Sequence, residues 1–235
     1  MGNALKSAPR PKPFDWIYWG VFFGCLVPLA LIVYGLLTGS LNFGKQLKVI
    51  YNQMGYVGLL LLLASLACTP TRLIFKAQWP ARLRKMLGLF GFMYVCLHAF
   101  TYTGFDQGLA YLPYDAWTKN RLSLHWLASD YWGEVKRVAS EIFSLNKIFL
   151  LFGVCALALL LPLAATSTNG MLRRLGGKRW QSLHRLAYVI GILGVLHFYL
   201  GIKSPDKTEA WVLGGILAVL LGVRLWKRFS KKHAA

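Results

Sequence analysis

The chain has 235 residues, 56% of them hydrophobic, and a formal net charge of +19. Spread evenly, that charge would suggest a soluble nucleic-acid binder. Instead Lys and Arg gather between apolar runs of 17 to 22 residues, the length that carries a helix across a bilayer, so a soluble basic protein and a nucleic-acid partner are excluded.

Residues 1–15 form a basic, Pro-rich cytoplasmic segment, and no small-x-small cleavage site follows the first apolar run, which therefore reads as an uncleaved helix. Six spans are predicted, over 16–37, 51–68, 86–103, 148–165, 183–202 and 210–226, within a transmembrane domain of residues 16–226. A basic cytoplasmic tail, 227–235, ends the chain. The fold class is all-α: a polytopic membrane bundle of six transmembrane helices. Of the 27 Lys and Arg, 18 fall in the segments that share a side with the N-terminus, and seven of the eight acids fall on the other. The positive-inside rule then places both termini in the cytoplasm and turns the basic face toward anionic membrane lipid.

Most connections are short, but residues 104–147 make a long outer loop rich in Trp and Tyr. Within it, Asp130 to Phe143 has the spacing of an amphipathic helix lying on the membrane surface. The four cysteines, Cys25, Cys68, Cys96 and Cys155, stand singly in different apolar runs. With no CxxC pair, neither a zinc site nor a redox dithiol is indicated, and each reads as a small apolar residue.

Three histidines lie in or beside spans, where ionisable groups are rare and point to function. His98 and His197 sit on the third and fifth spans, which run in the same direction, each about two turns from the outer end. Two neutral imidazoles at matched depth can fill both axial positions of a haem iron without bringing net charge into lipid. That leaves no open site for oxygen and favours electron transfer. The alternative for each histidine is a hydrogen bond between helices. His184 lies 13 residues before His197, roughly 20 Å along an ideal helix and about 140° around it, so the two need not serve one ligand and a second, inner site is geometrically natural. Arg84 and Lys85 stand at its depth on the third span, and Arg179 and Arg185 flank it in sequence. This basic group suits an anion such as a haem propionate, a flavin phosphate or a lipid phosphate. His125 and His233 have no partner in the sequence and read as solvated.

The runs TPTR (Thr69 to Arg72), RKMLGLFGFMYVCLHAFTY (Arg84 to Tyr102) and TSTNGMLRRLGGKRWQSLHRLAYVIGILGVLHF (Thr166 to Phe198) resemble the MsrQ (YedZ) family, within the wider ferric-reductase-like transmembrane family. The resemblance implies a multi-pass protein of the bacterial inner membrane carrying b-type haem and FMN. It implies electrons taken from quinones or from a cytoplasmic flavin reductase and passed to a periplasmic molybdopterin reductase of the MsrP type, which repairs methionine sulfoxide in proteins. The family's haem-linked histidines fall on His98, His184 and His197, so all three are candidate metal ligands. The chain departs from the pattern in its longer outer loop. It also has Arg84 or Lys85 where the related NADPH oxidases carry a fourth histidine. Catalysis on the final substrate is not expected in this chain. Two other classes remain in play: a ferric or oxygen reductase-type cytochrome, which would need a flavin and nicotinamide domain not visible here, and a haem-free scaffold or transporter.

Overall fold

The computed structural model describes residues 15–41, 43–76, 78–103, 130–141, 147–203 and 205–233. The expectations for residues 1–14, for most of the outer loop, including His125, and for the last two residues fall outside these. Among the described residues eight helices run in order: α1 Trp16–Leu37, α2 Phe43–Phe75, α3 Trp79–Thr101, α4 Asp130–Glu141, α5 Ile148–Ala165, α6 Asn169–His184, α7 Leu186–Gly201 and α8 Thr208–His233. No strand occurs among the described residues. Among the described residues six helical segments are long and apolar enough to cross a membrane, with α6 and α7 counted together.

The first and fourth spans coincide with the apolar runs read from sequence, while α2, α3 and α8 run past theirs by up to two turns. Helices need not stop where apolarity stops, since polar ends reach head groups and water. Helix α4, Asp130–Glu141, forms over most of the stretch Asp130 to Phe143 expected to be an amphipathic helix. The fifth span, expected over 183–202, is formed by α7, and it is preceded by α6, which is kinked at Gly176 where φ is +71°. Between them Arg185 bonds back to Ser182 at 3.2 Å, a tighter helical step, so His184 closes α6 and does not share α7 with His197.

Two antiparallel pairs, α2 with α3 and α5 with α7, make the most extensive contacts and form the central four-helix bundle. Gly58 and Gly91 let α2 and α3 approach closely: a Cβ on either would lie 3.2–3.3 Å from the other's carbonyl oxygen. Helix α1 packs on this pair, with Ile32 meeting Ile50, Met54 and Tyr94, and Cys25 meeting Cys68, Leu83, Met86 and Leu87. Helix α8 packs through Leu213 and Leu217 on Leu59, Leu63 and Leu66 of α2. The outward faces are apolar, as lipid requires, and exposed Trp16, Trp79 and Trp226 all lie toward one end of the bundle, in the manner of an interfacial aromatic belt.

Among the described residues prolines stand inside three spans, Pro28, Pro70 and Pro162, and at the first two a side chain from a neighbouring helix repairs the gap. Pro28 lies inside α1, and the fully buried Tyr94 of α3 reaches across: its hydroxyl donates to the Cys25 carbonyl at 2.8 Å and accepts from the Leu29 amide at 3.1 Å. Those are the two groups an unbroken turn would join directly. In α2 the ladder partner of the Leu66 carbonyl would be the missing N–H of Pro70, and the Arg224 guanidinium of α8 donates to that carbonyl instead. At the same end, Asp15 caps α1 through the Tyr18 amide at 3.2 Å and pairs with Arg82 of α3 at 2.8 Å. This gives a structural role to the one acid that the charge pattern left on the basic side.

Candidate paired-histidine site

His98 lies in the last turn of α3, and His197 lies one turn before the end of α7. The bundle brings the two rings together, with centroids 6.0 Å apart and planes at 79°. Each ring is held from behind. His98 Nδ1 is 2.7 Å from the Tyr51 carbonyl oxygen on α2, and His197 Nδ1 is 2.7 Å from the Phe149 carbonyl oxygen on α5. A carbonyl only accepts, so Nδ1 carries the proton in both rings and Nε2 keeps its lone pair. Nε2 lies across the ring from Nδ1, so each lone pair turns away from the helix that holds its ring.

This donor set can be tested against haem. An imidazole nitrogen binds a first-row metal at about 2.0–2.1 Å, and its ring centre lies ~1.1 Å beyond, so two trans imidazoles put their centroids about 6.3 Å apart. The separation of 6.0 Å is close to that spacing. Two imidazoles alone do not complete the shell of a bare ion, and no cluster of three or more His, Cys, Asp or Glu exists among the described residues. A macrocycle that fills the four in-plane positions needs only such a trans pair. The residues therefore fit a haem. Aromatic rings close around them: Tyr51 at 5.9 Å and Tyr102 at 6.5 Å from His98, and Phe149 at 5.8 Å from His197.

His184 lies at the other, basic end of the bundle. Its Nε2 is 3.2 Å from Thr166 Oγ1, and the Trp180 ring stacks on it at 3.8 Å. Thr166 Oγ1 donates to the Pro162 carbonyl at 2.6 Å, so toward His184 it accepts and Nε2 is the protonated nitrogen. Trp180 Nε1 donates to the Thr166 carbonyl at 2.8 Å, which completes a clamp between α6 and the end of α5. Arg84 is the charged side chain whose field reaches His184. Lys85, Arg179 and Arg185 are exposed, and among the described residues none makes a hydrogen bond or ion pair to the ring.

Sequence reasoning missed Arg224. It continues the inward stripe of Leu213 and Leu217, lies 4.7 Å over the Tyr188 ring and feels the charge of Arg84. An arginine two residues before the end of an apolar span, with Pro70 breaking another span near the same end, was the available signal. The two carbonyls at His98 and His197 were also missed, because backbone acceptors carry no residue signature.

Fold and site together define a multi-span helical membrane protein with a paired-imidazole centre. The family model described as "Ferric reductase like transmembrane component" matches residues 54–195, a stretch holding Tyr51's neighbours on α2, all of α3 and most of α7. Within that class the chain belongs to the MsrQ family. It is 41% identical over 224 residues to a Rhodospirillum rubrum protein named "Protein-methionine-sulfoxide reductase heme-binding subunit MsrQ", covering 95% of this chain and 92% of the relative. Relatives of the same name from Herminiimonas arsenicoxydans (36% over 230 residues; 96% and 93% covered) and Deinococcus radiodurans (35% over 215 residues; 91% and 89% covered) match over most of their length as well.

Proposed function

We infer that this chain is the membrane electron-transfer subunit of a methionine sulfoxide reductase system, holding b-type haem between His98 and His197. The observation that carries the reading is the pair of Nε2-free imidazoles, each backed by a carbonyl at 2.7 Å, with centroids 6.0 Å apart. His98 and His197 would hold the haem, which when bound would supply one-electron redox chemistry. The chain's own part is to hold neutral imidazoles at fixed height and to keep the surroundings apolar. It does so on four packed helices that need not move.

The basic end faces the cytoplasm and the paired-histidine end faces the periplasm, in keeping with the distribution of Lys and Arg. Electrons enter from quinones or from a cytoplasmic flavin reductase through the region of His184, Arg84 and Arg224. That basic cluster also suits the phosphate of FMN or a haem propionate. They leave near His98 to a periplasmic molybdopterin reductase of the MsrP type. The setting is the bacterial inner membrane.

The test is the absorption spectrum of the purified protein. Low-spin b-haem bands should be present, and should vanish in His98→Ala and in His197→Ala while both variants still insert and elute as folded protein. Bands unchanged in either variant would remove that histidine as a ligand, and a colourless wild-type protein would favour a scaffold.

A further inference from the structure

The two imidazoles are seated in the same way on helices that share no evident sequence repeat. Each Nδ1 faces a backbone carbonyl, Tyr51 on α2 or Phe149 on α5, and in both helices the residue four further on is glycine, Gly55 or Gly153. A Cβ built on Gly55 would lie 2.8 Å from His98 Nδ1 and 3.1 Å from its Cε1. A Cβ on Gly153 would lie 2.7 Å from His197 Nδ1 and 2.8 Å from its Cε1. These approaches are well inside van der Waals contact. The neighbour that would have to yield is a ring tied to a carbonyl, not the loose tip of a side chain. Neither glycine adopts a positive φ, so backbone strain does not explain its presence.

The geometry has a simple cause. A helical carbonyl points along the axis toward residue i+4, and the side chain at i+4 leans back over it. Glycine there uncovers the carbonyl from the side. The facing histidine can then reach an acceptor that the helix's own ladder otherwise shields.

We propose that Gly55 and Gly153 are positioning residues for the two axial imidazoles. Each opens a notch through which Nδ1–H docks on a carbonyl, and the two notches together set ring height, ring plane and the 79° between the rings. The assignment rests on the axial roles of His98 and His197. The docked hydrogen bond also makes the imidazole a stronger donor, as outer-shell partners of metal-bound histidines do.

The test uses the full-length haem-loaded protein with Gly55→Ala and Gly153→Ala, and Gly20→Ala and Gly215→Ala as controls, where an added Cβ meets nothing within 4 Å. Near-perpendicular imidazole planes give a highly anisotropic low-spin ferric EPR signal. In either notch variant that signal should shift toward the rhombic form of more parallel rings, the midpoint potential should rise as the donor weakens, and haem affinity should fall about 10-fold or more. Alanine is the better helix former, so an effect through helix propensity alone would run the other way. If one notch variant fails to accumulate, the other decides. EPR signal, potential and haem content matching the controls would overturn the proposal, provided His98→Ala and His197→Ala still abolish haem. If those two retain haem, the axial reading itself has failed and the glycines have no ring to position.

Discussion

The hydroxyl of Tyr94 is the clearest place to ask whether the bundle depends on repair of its proline gaps. Tyr94 lies one turn before His98, so its bridge to α1 also helps fix the depth of that imidazole. In Tyr94→Phe, the Cys25 carbonyl loses a donor at 2.8 Å and the Leu29 amide loses an acceptor at 3.1 Å, with almost no change in volume. Two such bonds contribute about 0.5–1.5 kcal/mol each in water-soluble proteins. Bonds between membrane helices average nearer ~0.6 kcal/mol. The expected loss is therefore about 1–2 kcal/mol, read by reversible SDS-induced unfolding in detergent micelles. The sharper test restores the ladder. Pro28→Ala returns a backbone donor and lets the turn close on itself, so in that background Tyr94→Phe should cost under about 0.5 kcal/mol, a coupling near 1 kcal/mol. Equal cost in both backgrounds would refute the repair argument.

Other substitutions probe the rest of the frame. Arg224→Met should strip the Leu66 carbonyl of its donor and cost about 1–3 kcal/mol in the same unfolding assay, with much of the loss recovered when Pro70→Ala supplies a backbone N–H. Asp15→Asn keeps a capping oxygen but loses the ion pair with Arg82, whose side chain is 37% exposed, so the change should be under about 1 kcal/mol and should shrink further in high salt. His184→Ala should disturb reduction by the cytoplasmic-side donor in membrane vesicles while leaving the His98–His197 haem bound. Loss of all haem in a folded His184→Ala protein would contradict two separate sites.

Much of this architecture was legible because a bilayer imposes a strong rule: long apolar runs must be helices. Trp16–Leu37 and Ile148–Ala165 fall where hydropathy alone puts them. The pairing of His98 with His197 was legible because co-directional spans turn equal distances from their ends into equal depths. What hydropathy could not reveal was the partner of each ring. The Tyr51 and Phe149 carbonyls are backbone atoms, and a glycine in an apolar helix looks like a packing residue until its neighbour is known. The break at Arg185 was hidden for a related reason: Trp180 to Tyr199 keeps helical periodicity across a single tightened turn, where Arg185 itself stays in the helical region. Arg224 counted only toward the positive-inside bias, and what gives it a separate role is its contact with the Leu66 carbonyl and the Tyr188 ring.

The central claim is the axial pair, and near-infrared magnetic circular dichroism of the oxidised wild-type protein tests it most directly. The position of the charge-transfer band distinguishes axial ligand pairs. A band at the energy of two neutral imidazoles, with no high-spin component, is the expected result. A band belonging to histidine with methionine, lysine or thiolate, or a five-coordinate high-spin spectrum, would contradict the account.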